Sequence, residues 1–168
     1  LGCGEGRNAL WLAERHWQVT AVDFSSVAIS KAKQIASRHT LKVDWINRDL
    51  GEFRPKSGHY ELVLACFVHT SSAQRKVWLA RAAHAVRTGG TLLYLGHDPR
   101  NPTEGFGGPK DLDVLLSASQ LVSQLVGFEV VVATTLERPV GAETGHGRPA
   151  GDGSALDTLV KAVKCCTF

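Results

Sequence analysis

The feature that most constrains the fold of this 168-residue chain is a glycine-rich segment that runs directly into a helical pattern. Gly2, Gly4 and Gly6 occupy alternate positions of LGCGEGR, and the following NALWLAERH carries apolar residues at helical spacing. Glycine is needed where the backbone takes unusual dihedral angles and lets a ligand approach closely. The first N–H groups of the helix lack partners within it, so the segment is typical of a site for a negatively charged group.

A carboxylate follows this loop at a distance typical of nucleotide sites. Asp23 ends the next predicted strand, about twenty residues on, where it can accept hydrogen bonds from two ribose hydroxyls. Loop and acid together favour a nucleotide-type site over a structural turn. The dinucleotide pattern G-x-G-x-x-G would require glycine at position 7, where this chain has Arg7. The observed G-x-G-x-G spacing therefore favours a different adenosine-containing ligand.

Strand-like apolar runs alternate with helical patterns along the chain, which predicts βαβ units and an α/β fold. We predict helices over Asn8–His16, Ser25–His39, Ala73–Val86 and Ala118–Val126. We predict strands over Gln18–Asp23, Lys42–Asn47, Tyr60–Val68, Thr91–Gly96, Phe128–Glu137 and Leu156–Val163.

Some boundaries follow from local signals. Ser25 or Ser26 can cap the second helix, and Gly89-Gly90 is expected to stop the third. Residues Gly141–Gly153 are predicted to form a glycine-rich turn. No helical pattern separates the last two strands, so we expect them to pair antiparallel.

The expected architecture is a Rossmann-like, doubly wound, mostly parallel sheet with an antiparallel final strand, forming a single domain over residues 1–168. In such a sheet the glycine loop follows a central strand, and only Leu1 of that strand is present. The neighbours of a missing strand would bury unpaired backbone groups, which is costly. We therefore expect the chain to be incomplete at its N-terminus and activity to require residues upstream of Leu1.

Charge and composition exclude several classes of function. A net charge of +3 without a concentrated basic face gives no indication of nucleic-acid binding. No apolar run approaches the ~20 residues that span a bilayer, and no signal segment is evident. The four cysteines form no CxxC pair and have no histidine at ligand spacing, which predicts no metal site and reduced thiols in the cytoplasm.

Several motifs, in order, resemble those of a known family. LGCGEGRNALWLAE resembles the first motif of class I S-adenosylmethionine-dependent methyltransferases, especially the small tellurite-resistance-type branch. VTAVDFS is similar to the second motif, NRDL to the third, YELVLACFVH to the fourth strand and TGGTLLYLGH to the fifth. The resemblance implies methyl transfer from S-adenosylmethionine, with S-adenosylhomocysteine as product and no metal.

The resemblance also implies which residues bind this cofactor. The glycines would line its methionine and ribose portion, and Asp23 would hold the ribose hydroxyls. Asp49 would accept from the adenine amino group, the alternative being a turn residue after its strand. Arg7 could meet the cofactor carboxylate or form a surface salt bridge. The implied cofactor-binding set is Gly2, Cys3, Gly4, Gly6, Arg7, Asp23, Phe24, Ser25, Asp49, Leu50 and Cys66.

Methyl transfer depends mostly on positioning, and a base helps only when the acceptor must lose a proton. His69 is the first candidate, because it follows the fourth strand at the carboxyl edge of the sheet. His97 is the second, with Asp98 beside it to orient or charge the ring. The alternative for both histidines is an exposed polar residue of a loop. The long loop His97–Asp113 is predicted to cover the substrate, the alternative being an irregular surface connection. The candidate substrate-binding residues are Phe67, His69, Asn101, Glu104 and Phe106.

The acceptor is expected to be a small molecule, with neither nucleic acid nor a membrane as partner. The sequence leaves open whether the chain is a monomer or a homodimer. One alternative function is a non-catalytic S-adenosylmethionine-binding regulatory or partner subunit. A second is a nicotinamide-dependent oxidoreductase, which Arg7 at the third glycine position disfavours.

Overall fold

The computed structural model describes residues 1–140 and 153–166. The glycine-rich turn predicted over Gly141–Gly153 lies, apart from Gly153, outside the described residues. Contacts divide the chain into two compact units, Leu1–Pro55 and Lys56–Phe168, and each unit is described by itself.

The first unit contains two helices and two strands, in the order α1 (Arg7–Glu14), β1 (Val19–Asp23), α2 (Ser26–Arg38) and β2 (Val43–Asn47). β1 and β2 pair in parallel, so both strands end at one edge with Asp23 opposite Asn47. The apolar side chains at the centre of the unit include Ala21, Val22, Ile29, Ala32 and Ala36.

A serine side chain begins α2. The Ser25 hydroxyl accepts a hydrogen bond of 3.2 Å from the Ala28 backbone N–H, while Ser26 is the first residue of the helix. The sequence allowed either Ser25 or Ser26 as the cap, and in the structure the cap is Ser25.

The described residues of the second unit form a four-stranded sheet, three α-helices and a 3-10 turn. Its elements are β3 (Tyr60–Cys66), α3 (Ser72–Ala85), β4 (Val86–His97), α4 (Asn101–Glu104), the 3-10 turn Leu112–Val114, α5 (Ala118–Val122), β5 (Phe128–Pro139) and β6 (Ser154–Lys164). The strand order is β3-β4-β6-β5. β3 and β4 are parallel, and β6 runs antiparallel to both β4 and β5. The predicted α/β fold with an antiparallel final strand is confirmed.

The boundary between α3 and β4 differs from the prediction. Gly89-Gly90 does not stop the helix; α3 ends at Ala85, and β4 begins at Val86 and runs through both glycines. Val86 is β-branched, fully buried and opposite Tyr60, so tertiary packing selects the extended backbone. At Gly90, a Cβ would approach the Tyr60 and Arg87 carbonyl oxygens to 2.9 Å.

The long loop after β4 is tied to its surroundings at several points. The amide of fully buried Asn101 donates to the Gly107 carbonyl at 2.9 Å and accepts from the Leu156 N–H at 2.7 Å. Further along, the Asp113 carboxylate accepts from the Ser72 N–H at 3.1 Å. The loop is thus held against β6 at one end and against α3 at the other.

No helix in the described part of the chain is both long and apolar enough to cross a membrane.

Candidate active site

The glycine loop adopts the backbone conformations that its sequence predicts. Gly2, Gly4 and Gly6 have φ values of 60°, 53° and 86°, in the left-handed region that favours glycine. A Cβ at Gly6 would lie 2.6 Å from the Trp45 ring, whereas one at Gly4 would meet nothing within 4 Å. Packing therefore requires glycine at position 6, and open space lies beside position 4.

Asp23 connects this loop with the end of β1. Its carboxylate is buried and accepts hydrogen bonds from the Gly4 N–H at 2.7 Å and from the Ser25 N–H at 2.9 Å. A carboxylate can accept about four hydrogen bonds, so acceptor capacity remains on both oxygens. The geometry fixes the orientation of the carboxylate and leaves lone pairs on both oxygens for further donors.

Asn47 supports this arrangement and was not predicted. Its side-chain amide donates to the carbonyl oxygens of Asp23 and Phe24, at 3.0 Å and 2.8 Å. These bonds fix the backbone that follows β1. Only the parallel register, which places Asn47 opposite Asp23, could have revealed the contact.

The other predicted residues of the first unit differ in their exposure and contacts. Phe24 is 77% exposed, as an aromatic side chain that stacks on a ligand would be, and Leu50 is buried. The exposed Asp49 carboxylate accepts from the Gly51 N–H at 2.7 Å, which closes a local turn. Burial, and then the nearby Asp23 charge, raises the pKa of the Cys3 thiol to about 11, so this group stays protonated.

The beginning of α1 lacks a side-chain cap. Gly6 occupies the capping position, no side chain accepts from the first turn, and the first turn holds no acidic residue. Orphan N–H groups at a helix N-terminus attract anionic groups. Arg7, the first residue of this helix, adds a positive charge on its exposed surface.

The second unit contains a cluster of rings and charges at the ends of its strands, which we call the histidine cluster: Phe67, His69, His97, Arg138 and Asp157. The antiparallel register places His97 of β4 opposite Asp157 of β6. His97 Nδ1 lies 3.0 Å from Asp157 Oδ1, and both residues are buried. This is the distance of a charge contact, although the ring nitrogen has no well-aligned hydrogen bond.

Arg138 holds the carboxylate from the other neighbouring strand. Its Nε donates to Asp157 Oδ2 at 2.6 Å and its terminal nitrogen donates to Oδ1 at 3.4 Å. Burial alone would raise the pKa of Asp157, but contacts with His97 and Arg138 outweigh burial and hold the pKa below 3.8. Asp157 is therefore a buried anion fixed between two cationic or polar partners.

Aromatic rings complete the cluster. The His69 and His97 rings stack with centroids 5.5 Å apart and planes within 2°, and Phe67 lies 5.1 Å from His97. The Arg138 guanidinium sits 5.4 Å over the Phe67 ring. Desolvation, and then the nearby His97, lowers the pKa of His69. Phe67 has a φ of 53°, a strained value for a residue with a bulky side chain.

Asp98 does not orient His97, contrary to the expectation from their adjacency. Its carboxylate accepts from the Thr135 and Thr158 hydroxyls, at 2.8 Å and 3.2 Å, and pairs with Arg100 at 3.0 Å. Successive side chains of a strand point to opposite faces of the sheet, so Asp157 and Thr158 lie on different faces. Asp157 contacts His97, and Thr158 contacts Asp98. The carboxylate beside His97 is Asp157, which is 60 positions later in the chain.

The predicted substrate-binding residues separate into two groups. Phe67 and His69 lie together with His97 in the histidine cluster. Both ends of the Asn101 amide are engaged within the loop and β6, which favours a structural role over contact with a substrate. The Phe106 N–H donates to the Ser154 backbone carbonyl, and Glu104 is exposed at the end of α4. Within residues 1–140 and 153–166, no group of three or more His, Cys, Asp or Glu residues could hold a metal ion.

Comparison with known families identifies the first half of the chain. Residues 1–90 match the sequence model of a family described as a methyltransferase domain, which is more than half of the 168 residues. The chain belongs to the methyltransferase domain family. The resemblance to class I methyltransferases that the sequence motifs indicate is thereby confirmed.

Individual proteins similar to this methyltransferase domain are consistent with the family match. An uncharacterized methyltransferase of Schizosaccharomyces pombe is 31% identical over 85 residues, which cover 49% of this chain and 59% of the relative. The aligned region is thus less than two thirds of that relative's length. TehB from Haemophilus influenzae has 16% identity and a TM-score of 0.79, with 97% of this chain and 55% of TehB covered.

A SAM-dependent methyltransferase from Methanosarcina mazei has 17% identity and a TM-score of 0.73, with 99% of this chain and 91% of that protein covered. These structural relatives establish the fold of the methyltransferase domain: a Rossmann-like α/β fold with a mixed sheet. Because the family match ends at residue 90, it includes the glycine loop, Asp23 and Asp49 but not His97, Arg138 or Asp157.

Proposed function

We propose that this chain binds S-adenosylmethionine at the glycine loop and transfers its methyl group to a small-molecule acceptor. The observation that carries the proposal is the buried Asp23 carboxylate, fixed by the Gly4 and Ser25 N–H groups at the end of β1. Such a carboxylate suits two ribose hydroxyls, and membership of the methyltransferase domain family supports the reaction.

The residues of the first unit fit this cofactor in three respects. The space beside Gly4 admits a ligand close to the backbone, Phe24 is free to cover an adenine face, and the uncapped start of α1 suits a carboxylate. Bound there, the cofactor would supply an activated methyl group on a sulfonium. The remaining predicted contacts are those of Asp49 and Leu50 with the adenine, and of Cys66 with the methionine portion.

The protein's own contribution to methyl transfer is to position the acceptor and exclude water. We assign the acceptor to the neighbourhood of the histidine cluster, where His69 and His97 are the candidate bases. His97 is the last residue of β4 and His69 follows β3, so both lie at carboxyl ends of strands, where α/β sheets bind ligands. We further propose a cytoplasmic location, where thiols such as those of Cys3, Cys165 and Cys166 stay reduced.

Calorimetric titration with S-adenosylmethionine, S-adenosylhomocysteine and NADH tests the proposal. We expect both sulfur compounds to bind and NADH to give no heat of binding. Binding of NADH alone would contradict the proposed cofactor. Binding of S-adenosylmethionine without transfer of a radiolabelled methyl group to a broad panel of small acceptors would favour a non-catalytic binding subunit.

A further inference from the structure

The side chain of Asn47 binds the backbone of two residues that the proposed cofactor would contact. Its Nδ2 donates to the carbonyl oxygen of Asp23 at 3.0 Å and to that of Phe24 at 2.8 Å. We propose that Asn47 is a positioning residue for the cofactor, which acts by fixing Phe24 where its ring covers one face of the adenine. This inference rests on the proposed function and lies wholly within the first unit, Leu1–Pro55.

The two carbonyl groups belong to consecutive residues at a turn of the chain. β1 ends at Asp23 and α2 begins at Ser26, so the backbone changes direction between them. The turn brings two carbonyl oxygens, each with a partial negative charge, to the same side chain. A primary amide has two N–H donors, one for each oxygen, which makes asparagine well suited to this position.

The ring of Phe24 depends on this backbone for its placement. With 77% of its surface exposed, Phe24 receives little restraint from packing. An exposed side chain that becomes ordered on binding loses conformational freedom, and a backbone that is fixed beforehand reduces this cost. The Asn47 amide therefore favours cofactor binding without any contact of its own with the adenine.

The Asp23 carboxylate is held by other contacts. It accepts from two backbone N–H groups, and the Asp23 carbonyl oxygen also accepts from the Arg48 N–H at 2.9 Å. All three donors are backbone groups, which remain when Asn47 loses its side chain. Loss of the Asn47 amide is therefore expected to affect the placement of Phe24 more than that of the Asp23 carboxylate.

The first test measures the two hydrogen bonds without any ligand. ¹H–¹⁵N spectra resolve both side-chain amide protons of each asparagine, and Asn47→Asp assigns the Asn47 pair by its disappearance. Both protons of Asn47 should exchange with water more slowly than those of Asn8, which is exposed on α1. Equal exchange rates for the two asparagines would overturn the proposal, because the carbonyl groups would then have no amide bound to them.

The second test is calorimetric titration with S-adenosylhomocysteine. Asn47→Ala is expected to weaken binding by about tenfold, the order expected for loss of two net hydrogen bonds. Asn47→Asp preserves the shape but sets a carboxylate against two carbonyl oxygens, so it should bind more weakly than Asn47→Ala. Unchanged affinity in either variant would overturn the proposal.

Controls show that the loss belongs to this position. Asp44→Ala, at an exposed position of the same strand, should bind as the unsubstituted protein does. Unfolding in urea establishes that each variant is folded at the temperature of the titration. If Asn47→Ala is not, Asn47→Ser takes its place and should also bind more weakly than the unsubstituted protein.

A double-mutant cycle separates positioning of Phe24 from a direct contact between Asn47 and the ligand. Phe24→Ala removes the ring that Asn47 is proposed to place. In that background, Asn47→Ala should weaken binding by less than about twofold, because residues that act together are not additive. Losses that multiply in the double variant would show that the two residues act independently and would overturn the positioning role.

The portion of the ligand that is affected provides the third test. 5′-Methylthioadenosine has the adenosine portion of the cofactor without its amino-acid portion. Asn47→Ala should weaken its binding by the same factor as that of S-adenosylhomocysteine. A loss confined to S-adenosylhomocysteine would assign the effect to the methionine portion and overturn the role in adenine binding.

The same titrations distinguish failure of this inference from failure of the proposed function. If the unsubstituted protein binds neither S-adenosylmethionine nor S-adenosylhomocysteine, the proposed function fails and this inference fails with it. If the unsubstituted protein binds them and folded Asn47→Ala binds them equally well, the inference fails and the proposed function stands.

Discussion

At the scale of single residues, the histidine cluster depends on how closely the backbone of Gly108 approaches His97. Gly107 and Gly108 have nearly the same φ, 74° and 71°, but different surroundings. A Cβ at position 107 would meet nothing within 4 Å, whereas one at position 108 would lie 2.7 Å from the His97 ring. Substitutions at these two glycines therefore distinguish the cost of backbone strain from the cost of a steric clash.

We predict that Gly107→Ala destabilises the protein by about 1–2 kcal/mol, the cost of a left-handed conformation for a residue with a Cβ. Gly108→Ala carries the same strain and must also displace the buried His97 ring, so its free energy of unfolding should be lower still. Urea denaturation of the two variants measures the difference. Equal stabilities would show that the close approach of Gly108 to His97 is not real.

Residues that depend on local spacing could be predicted from the sequence, and residues that depend on register could not. Gly2, Gly4 and Asp23 follow from a loop, a helix and a strand in succession. Asp157 comes to His97 only because β6 runs antiparallel beside β4, and no short-range pattern predicts that pairing. Adjacency in the sequence therefore suggested Asp98 as the carboxylate beside His97, whereas in the structure that carboxylate belongs to Asp157.

At the scale of elements, the structure decides which of two adjacent serines caps the beginning of α2. Ser25 and Ser26 are both suitable caps by residue type, but only the Ser25 hydroxyl accepts from the Ala28 N–H. Ser25 is half-buried next to Asp23, and Ser26 is exposed in the first turn. The hydrogen bond from the Ser25 N–H to the Asp23 carboxylate holds Ser25 at the position that precedes the helix.

Ser25→Ala is expected to lower the free energy of unfolding by about 0.5–2 kcal/mol, because an N–H of the first turn loses its acceptor. Ser26→Ala, at an exposed position inside the helix, should change it by no more than about 0.5 kcal/mol. Thermal or urea unfolding of both variants provides the comparison. A larger loss of unfolding free energy for Ser26→Ala than for Ser25→Ala would mean that Ser25 is not the cap.

The elements that were predicted best are those whose apolar pattern is strong over their whole length. β1, β2 and β3 begin and end within two residues of the predicted bounds, since their apolar runs are bounded by turn residues. The start of β4 was missed by five residues, because Gly89-Gly90 resembles a helix stop while Val86 is buried in the sheet. There tertiary packing overrides a local signal.

At the scale of the whole molecule, acid should destabilise the protein through its buried carboxylates. The pKa values of Asp98 and Asp157 lie below the ordinary value of 3.8, although burial alone would raise both. A group whose pKa is lowered in the folded state stabilises the fold above its unfolded pKa. That contribution is lost as the pH falls through the folded-state pKa.

We therefore predict that the free energy of unfolding is steady from neutral pH down to about 4 with respect to these groups and decreases at lower pH. In Asp157→Asn, the part of this decrease that belongs to Asp157 should be absent, so the slope against pH becomes shallower. Urea denaturation between pH 2.5 and 7, values chosen to bracket about 3.9, measures both curves. An identical slope in the variant would contradict the lowered pKa of Asp157.

Calorimetry of one substitution tests most directly whether Asp23 belongs to a binding site for S-adenosylmethionine. Asp23→Ala should weaken binding by at least about 1–2 kcal/mol, the scale for loss of a hydrogen-bonded charged partner. Asp44→Ala, at an exposed position of β2, is the matched control and should bind as the unsubstituted protein does. Weakened binding in Asp23→Ala alone is the predicted result, and unchanged affinity in a folded Asp23→Ala variant would contradict a role of Asp23 in this site.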